Sequence, residues 1–413
     1  MTTPRRFPRL FKAGTALAAL LGLLSIGAYA APDAAAASGS ALARLVDADI
    51  AAGAPGVVVR IDDGRHRPVT IARQAAWTRA DHRLAAGDQF RMGSNTKTMV
   101  ATVALQLVAE GRLRLSDPVE RYLPGLVANG RAITVRMLLN HTSGLPDLFA
   151  ELDKGWFDLE VLHAITGQVQ RDWTPQQLLA RAATHPVNFP PGDHYSYSNT
   201  NYVALGLILE RVTGDSVAHL LQRRILRPLG LHDTYLATDG RSRDGDRLAH
   251  GYEPDAAHLA PLLEVFGAPA DTAFAGPVHD EHVDVTAISP AWAWAAGAMV
   301  STPRDWDRFL SALLSGRLLP PAQLAEMRTT VEDPTSGGTT RYGLGLMRYT
   351  NACGTVWGHT GGIPGFGSQN YTDATGRRTV TVVTTTQFGA KFPDLMAADQ
   401  RMVDAAVCVM LGR

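Results

Sequence analysis

A serine set one helical turn before a lysine is the most chemically suggestive feature of this sequence. It occurs at Gly93-Ser94-Asn95-Thr96-Lys97, heading an apolar stretch from Val100 to Val108. Residues three apart on a helix share a face, so the Ser94 hydroxyl and the Lys97 amine can meet. A serine hydroxyl is a weak nucleophile until a base takes its proton, and a lysine deprived of water can be that base. The Ser94 N–H, at a helix start, can also face a developing oxyanion. Ser-x-x-Lys occurs once in a chain with only four lysines: Lys12, Lys97, Lys154 and Lys391. Read alone, the motif is equally a helix cap followed by a solvated lysine.

Two further clusters carry compatible chemistry. Tyr195-Ser196-Tyr197-Ser198-Asn199 follows the turn Pro190-Pro191-Gly192-Asp193. The Tyr197 phenol can act as a base if a nearby cation lowers its proton affinity, and the Asn199 amide can orient a lysine or hold a substrate carbonyl. The alternative is a polar loop capping a helix that begins near Tyr202. The third cluster is Gly358-His359-Thr360-Gly361-Gly362. Its glycines would let a substrate backbone lie against a strand edge, and the Gly362 N–H is a candidate second oxyanion donor. His359 can stabilise charge or relay a proton. Alone, this segment also reads as a tight strand end with a structural histidine.

The elements that must position these groups are legible in outline. Val57 to Ile61 and Val69 to Trp77 read as a hairpin around Asp62-Asp63-Gly64. Thr96 to Glu110 reads as a buried helix, ended by Gly111. Between about 117 and 285 the pattern is several helices, including Thr134–Asn140, Thr174–Ala183 and Tyr202–Thr213. A helix is predicted over Pro303–Gly316. Strands follow at Thr355–Trp357, Gly367–Thr372 and Thr379–Thr386, and then a helix over Pro393–Met410. Strands at both ends predict an α/β (α+β) fold in which one antiparallel sheet flanked by helices is completed by both termini, beside an all-helical lobe.

Together, and in this order, Ser-x-x-Lys, Tyr-x-Asn and His-Thr-Gly make the chain similar to the penicillin-recognising serine hydrolases, the family of serine β-lactamases and DD-peptidases. It most resembles the secreted D-alanyl-D-alanine carboxypeptidases related to class C β-lactamases. The likeness runs from Val57 to Cys408. It includes His141-Thr142-Ser143-Gly144-Leu145, Tyr342-Gly343-Leu344-Gly345-Leu346, and Trp292 with Ala296-Gly297. The resemblance implies Ser94 as the acylated nucleophile, Lys97 and Tyr197 handling its proton, and Asn199 on the substrate amide. His359 would stand where most β-lactamases have lysine. Trp292, Thr360, Gly361 and Gly362 would line the substrate site. It implies a peptide or β-lactam substrate, no cofactor and no metal. Carboxypeptidases of this kind hold the terminal carboxylate with an arginine before the third motif. Met347 stands there, with Arg348 beside it.

The rest of the chain sets the expected context. Its 413 residues are 46% hydrophobic with formal net charge +0, which gives no electrostatic reason for nucleic acid or an anionic membrane as partner. Arg5, Arg6, Arg9 and Lys12 precede an apolar run and Ala28-Tyr29-Ala30, the pattern of a signal peptide over residues 1–30. A disordered leader is predicted for 31–45 and the catalytic domain for 46–413, with the helical lobe at about 117–285. The expected product is secreted, monomeric and without a stable membrane anchor. Cys353 and Cys408 both lie in the exported part, where a disulfide can form, and the resemblance points to the same bridge. His279-Asp280-Glu281-His282 lacks metal-ligand spacing and is expected to be a solvated loop. Trp294 is expected in the core.

Overall fold

The computed structural model describes residues 39–148, 163, 166–167, 173–237, 247–265 and 271–413, so the expected signal peptide (1–30) lies outside the described residues. In chain order the described strands are β1 (Gly56–Asp62), β2 (Val69–Gln74), β3 (Phe90–Arg91), β4 (Tyr235–Leu236), β5 (Tyr252–Pro254), β6 (Val278–His279) and β7 (His282–Asp284). After them come β8 (Met299–Ser301), β9 (Val331–Glu332), β10 (Thr340–Tyr342), β11 (Met347–Asn351), β12 (Gly354–Ile363), β13 (Phe366–Thr372) and β14 (Thr379–Thr384).

Eight of these form one antiparallel sheet in the order β2-β1-β14-β13-β12-β11-β10-β9. The N-terminal hairpin joins the C-terminal strands through β1 and β14, with Val59 opposite Val382. Strand neighbours point to opposite faces. Val58 therefore enters the core on the helical side, while Val57, Val59 and Ile61 enter a second core under the helices Gly39–Ala51 and Asp394–Leu411. Burial on both faces explains a strand that is valine at three successive positions.

The helix Thr96–Ala109 runs through the first core, with every residue from Thr96 to Leu105 buried. Its Lys97 is thus carried into an apolar interior. Asn199–Thr213 packs beside it and ends at Gly214 in the left-handed region (φ 77°), which glycine adopts without a Cβ penalty.

The structure departs from the sequence expectations in three places. The predicted leader 31–45 overlaps a helix that starts at Gly39. Leu42 and Val46 sit one turn apart and are fully buried, each contributing about 1.5–3 kcal/mol, which orders an alanine-rich stretch. The lobe at 117–285 is not all helical: it contains β4, which joins β3 and β8, and the small sheet β5-β7-β6. These strands are two or three residues long, too short for a periodic signal. His279–His282 is the tip of a hairpin, solvated at His279, Asp280 and Glu281 as expected but not at its last residue. Asp280 and Glu281 take positive φ at its tip, and His282 is buried against Trp77 with rings 5.1 Å apart. Among the described residues, no helix is long and apolar enough to cross a membrane and no group of metal-ligating side chains is assembled.

Cys353 and Cys408 are bonded, tying the β11–β12 turn to the C-terminal helix, with Cα atoms 5.3 Å apart and a sequence separation of 55. A loop of that length stabilises by about 4 kcal/mol in the chain-entropy model. The Cys353→Ser/Cys408→Ser double variant is expected to lose stability of that order in denaturant titration. Unchanged stability would show that packing alone secures the helix.

Candidate active site

Ser94 lies in a short 3₁₀ turn, Gly93–Asn95, that runs straight into the helix Thr96–Ala109. The turn is pressed against β12. A Cβ on Gly93 would come 2.7 Å from the Gly362 nitrogen, and one on Gly361 would come 2.0 Å from the Met92 carbonyl oxygen. Only glycines allow this approach, which sets the Gly362 backbone beside the nucleophile turn. Strand β11 pairs with Gly354–Gly358 alone, so on that side His359–Ile363 has no strand partner among the described residues. A local strand edge is thereby available to a substrate backbone.

Lys97 is fully buried and its amine has three acceptors: Ser94 Oγ at 2.9 Å, Asn199 Oδ1 at 2.7 Å and the Ala296 carbonyl at 2.8 Å. Burial pushes its pKa down to about 7, opposed by the charge of Asp147. Near neutrality the amine therefore exists partly unprotonated. In that form it can keep its bonds to Asn199 and Ala296 and turn a lone pair to the Ser94 hydroxyl. Asn199 is the first residue of its helix, three residues earlier than the sequence pattern suggested. The Asp147 carboxylate caps it, accepting from the Asn199 N–H at 2.9 Å and from its side-chain amide at 3.0 Å. An anion at a helix N-terminus is favourable, and this one also fixes the amide so that its oxygen faces Lys97.

Tyr197 stacks on His141 at 4.2 Å and lies under the Lys97 amine, which is 4.8 Å from its ring centre. Burial holds the phenol's pKa well above its usual range, although the Ser94 hydroxyl acts in the opposite sense. The phenol therefore keeps its proton, and the resting base is Lys97 rather than a tyrosinate. His359, expected to stabilise charge or relay a proton, is held in its neutral form. It is 1% exposed, its Nδ1 donates to the Thr360 carbonyl, and its Nε2 accepts from the Tyr342 hydroxyl at 2.8 Å. Burial, with Lys97 nearby, lowers its pKa to about 3, so it is neutral. It packs in an aromatic cluster with His141, Tyr195, Tyr197 and Tyr342.

Thr360 is half-buried, with its hydroxyl 3.8 Å from the Met347 sulfur. Arg348 pairs with Trp357, and as the strand neighbour of Met347 it points to the opposite face. Trp292 is half-buried in a turn four residues before the Ala296 carbonyl that receives Lys97, whereas Trp294 is buried in the main core. Ser94, Lys97, Tyr197 and Asn199 are thus brought together, with Gly361 and Gly362 against the nucleophile turn. Sequence reasoning missed Asp147 and Tyr342. Both stand within or beside quoted motifs, but neither has a spacing that signals its partner.

The sequence model of the beta-lactamase family matches residues 42–404. A D-stereospecific amidohydrolase from Streptomyces sp. superposes with a TM-score of 0.75 at 35% identity, over 90% of this chain and 99% of that one. A D-amino acid amidase from Ochrobactrum anthropi SV3, solved with L-phenylalanine, also gives 0.75, at 29% identity over 90% of this chain and 98% of that one. Esterase EstB of Burkholderia gladioli is 28% identical over 308 residues, 66% of this chain and 73% of the esterase.

Proposed function

The chain belongs to the beta-lactamase family of serine hydrolases, and from that premise we propose that it hydrolyses amides and peptides of D-amino acids through an acyl-enzyme on Ser94. The observation that carries this reading is the Lys97 amine, buried and held at once by Ser94, Asn199 and Ala296. In the proposed cycle Ser94 Oγ attacks the substrate carbonyl carbon while its proton passes to unprotonated Lys97. The Ser94 and Gly362 N–H groups receive the oxyanion. The leaving nitrogen departs with a proton from Tyr197, which Lys97 replaces. Water then attacks the ester by the same route in reverse, and Ser94 recovers its hydroxyl.

The D-amino-acid class rests on the two amidase structures and on Met347. A thioether beside Thr360 provides no charge for a terminal carboxylate, whereas a neutral carboxamide needs none. The narrower D-alanyl-D-alanine carboxypeptidase reading stands second, supported by the Thr360 hydroxyl at the open half of β12. Export to the periplasm or medium belongs to the same proposal, and the disulfide is consistent with it.

The test is a substrate panel: D-phenylalanine amide, its L enantiomer, a peptide ending in D-Ala-D-Ala, a nitrophenyl ester and penicillin. Ammonia release from the D-amide is expected to exceed that from the L-amide at least about tenfold in kcat/KM, the effect of one misplaced side chain in a shaped pocket. Faster D-alanine release from the peptide would restore the carboxypeptidase, and ester cleavage alone would leave an esterase. Binding of penicillin without turnover of anything would point to a non-catalytic module.

A further inference from the structure

One fully buried carboxylate near the site has no part in the cycle above. Glu253, on β5, is 0% exposed. Its Oε1 accepts from the Gly365 N–H at 2.7 Å and the Gln387 N–H at 2.9 Å. Its Oε2 accepts from the Phe388 N–H at 3.1 Å and the Thr386 hydroxyl at 3.3 Å. These donors come from two loops: the β12–β13 turn and the segment leaving β14. Strand β5 is locked to the same loops, since Tyr252 N–H donates to the Thr385 carbonyl at 2.9 Å and a Cβ on Gly251 would come 2.6 Å from the Gly365 carbonyl oxygen. The Gln387 side chain in turn lies over Gly362, where an added Cβ would come 2.9 Å from Gln387 Nε2. Contact therefore runs from Glu253 through Gln387 to Gly362 and on to Gly93 beside Ser94, while Glu253 also holds Gly365, three residues after Gly362 in the same hairpin.

We propose that Glu253 is a positioning residue for the oxyanion hole, its carboxylate gathering the Gly365 and Gln387 loops so that the Gly362 N–H is held against the nucleophile turn. The proposal rests on Gly362 being an oxyanion donor to a Ser94 adduct. Burial raises the carboxyl to about 7, against the pull of its four donors. The donors occupy both oxygens, so an amide in its place leaves one pair facing an NH₂ instead of an acceptor.

The experiment compares wild type, Glu253→Gln and Thr386→Val on an ester and its thionoester, in which sulfur replaces the carbonyl oxygen. A rigid hole discriminates against the larger, weaker acceptor. In Glu253→Gln, kcat for the ester is expected to fall about 10- to 100-fold with KM within about twofold, less than the loss of a whole donor. The ester-to-thionoester ratio is expected to narrow with it. Thr386→Val, which removes one of the four bonds, should shift both in the same direction by less, and it decides the question alone if Glu253→Gln does not fold. Equal losses on both substrates, or none, would overturn the positioning role. Ser94→Ala is assayed alongside. If it stays active, the acyl-enzyme reading has failed; if it is dead and the ratio is unmoved, only the role of Glu253 has.

Discussion

Replacing Ser94 with alanine is expected to reduce kcat on every accepted substrate by about 10⁶-fold, to background, because the hydroxyl that meets the Lys97 amine is then gone. The hydroxyl is half-buried on a turn whose neighbours are buried, 2.9 Å from the amine that can take its proton. Its removal deletes the contacts of one half-buried hydroxyl with Lys97 and Tyr197 and a small volume, so the variant should fold and melt close to wild type. Intact-mass measurement offers a second readout. Wild type quenched during turnover of a poor ester should gain the mass of the acyl group, and Ser94→Ala should not. Retained turnover, or a mass gain in the variant, would move the nucleophile elsewhere.

The second large effect belongs to Lys97. As the general base it is expected to be worth about 10² to 10⁴-fold, so Lys97→Met should lose that much in kcat/KM. The sign of the pH dependence follows from its lowered pKa of about 7. Above that value the amine is unprotonated and able to accept the Ser94 proton. Below it the ammonium donates to all three acceptors and has no lone pair. The wild-type kcat/KM should therefore be flat above about pH 7 and fall about tenfold per unit below it. In Lys97→Met the residual rate should lose that continuing fall. An acid limb of the same midpoint and slope in the variant would assign the base to another group.

The same pair shows how unevenly the site could be read from sequence. Ser94 and Lys97 are three residues apart on one helix, and a local repeat suffices to place them together. The perturbed basicity of Lys97 has no such local signature. It comes from a helix buried on all sides, and Asp147, which holds Asn199 from a distant loop, works against it by favouring the charged amine. The Tyr-x-Asn and His-Thr-Gly motifs point to Tyr197 and His359 as groups that can titrate, but not to the state in which they rest. Burial decided that one keeps its proton and the other stays neutral.

By itself, the sequence determined what depends on neighbours along the chain. This covers the three motifs and their order, the buried helix behind Ser94, the strands at both ends that close one sheet, and two cysteines available to pair. Only the tertiary structure decided what depends on groups that meet across the chain. Gly361 is glycine because the Met92 carbonyl lies where its Cβ would be, and the helix at Gly39 exists because Leu42 and Val46 find a core to enter. Glu253 is buried as a carboxylate because Gly365 and Gln387, each more than a hundred residues away, turn their N–H groups to it. Periodicity and propensity are properties of a segment. Desolvation, steric exclusion and the pairing of a buried charge belong to the packed whole, and they fix the protonation states on which the chemistry depends.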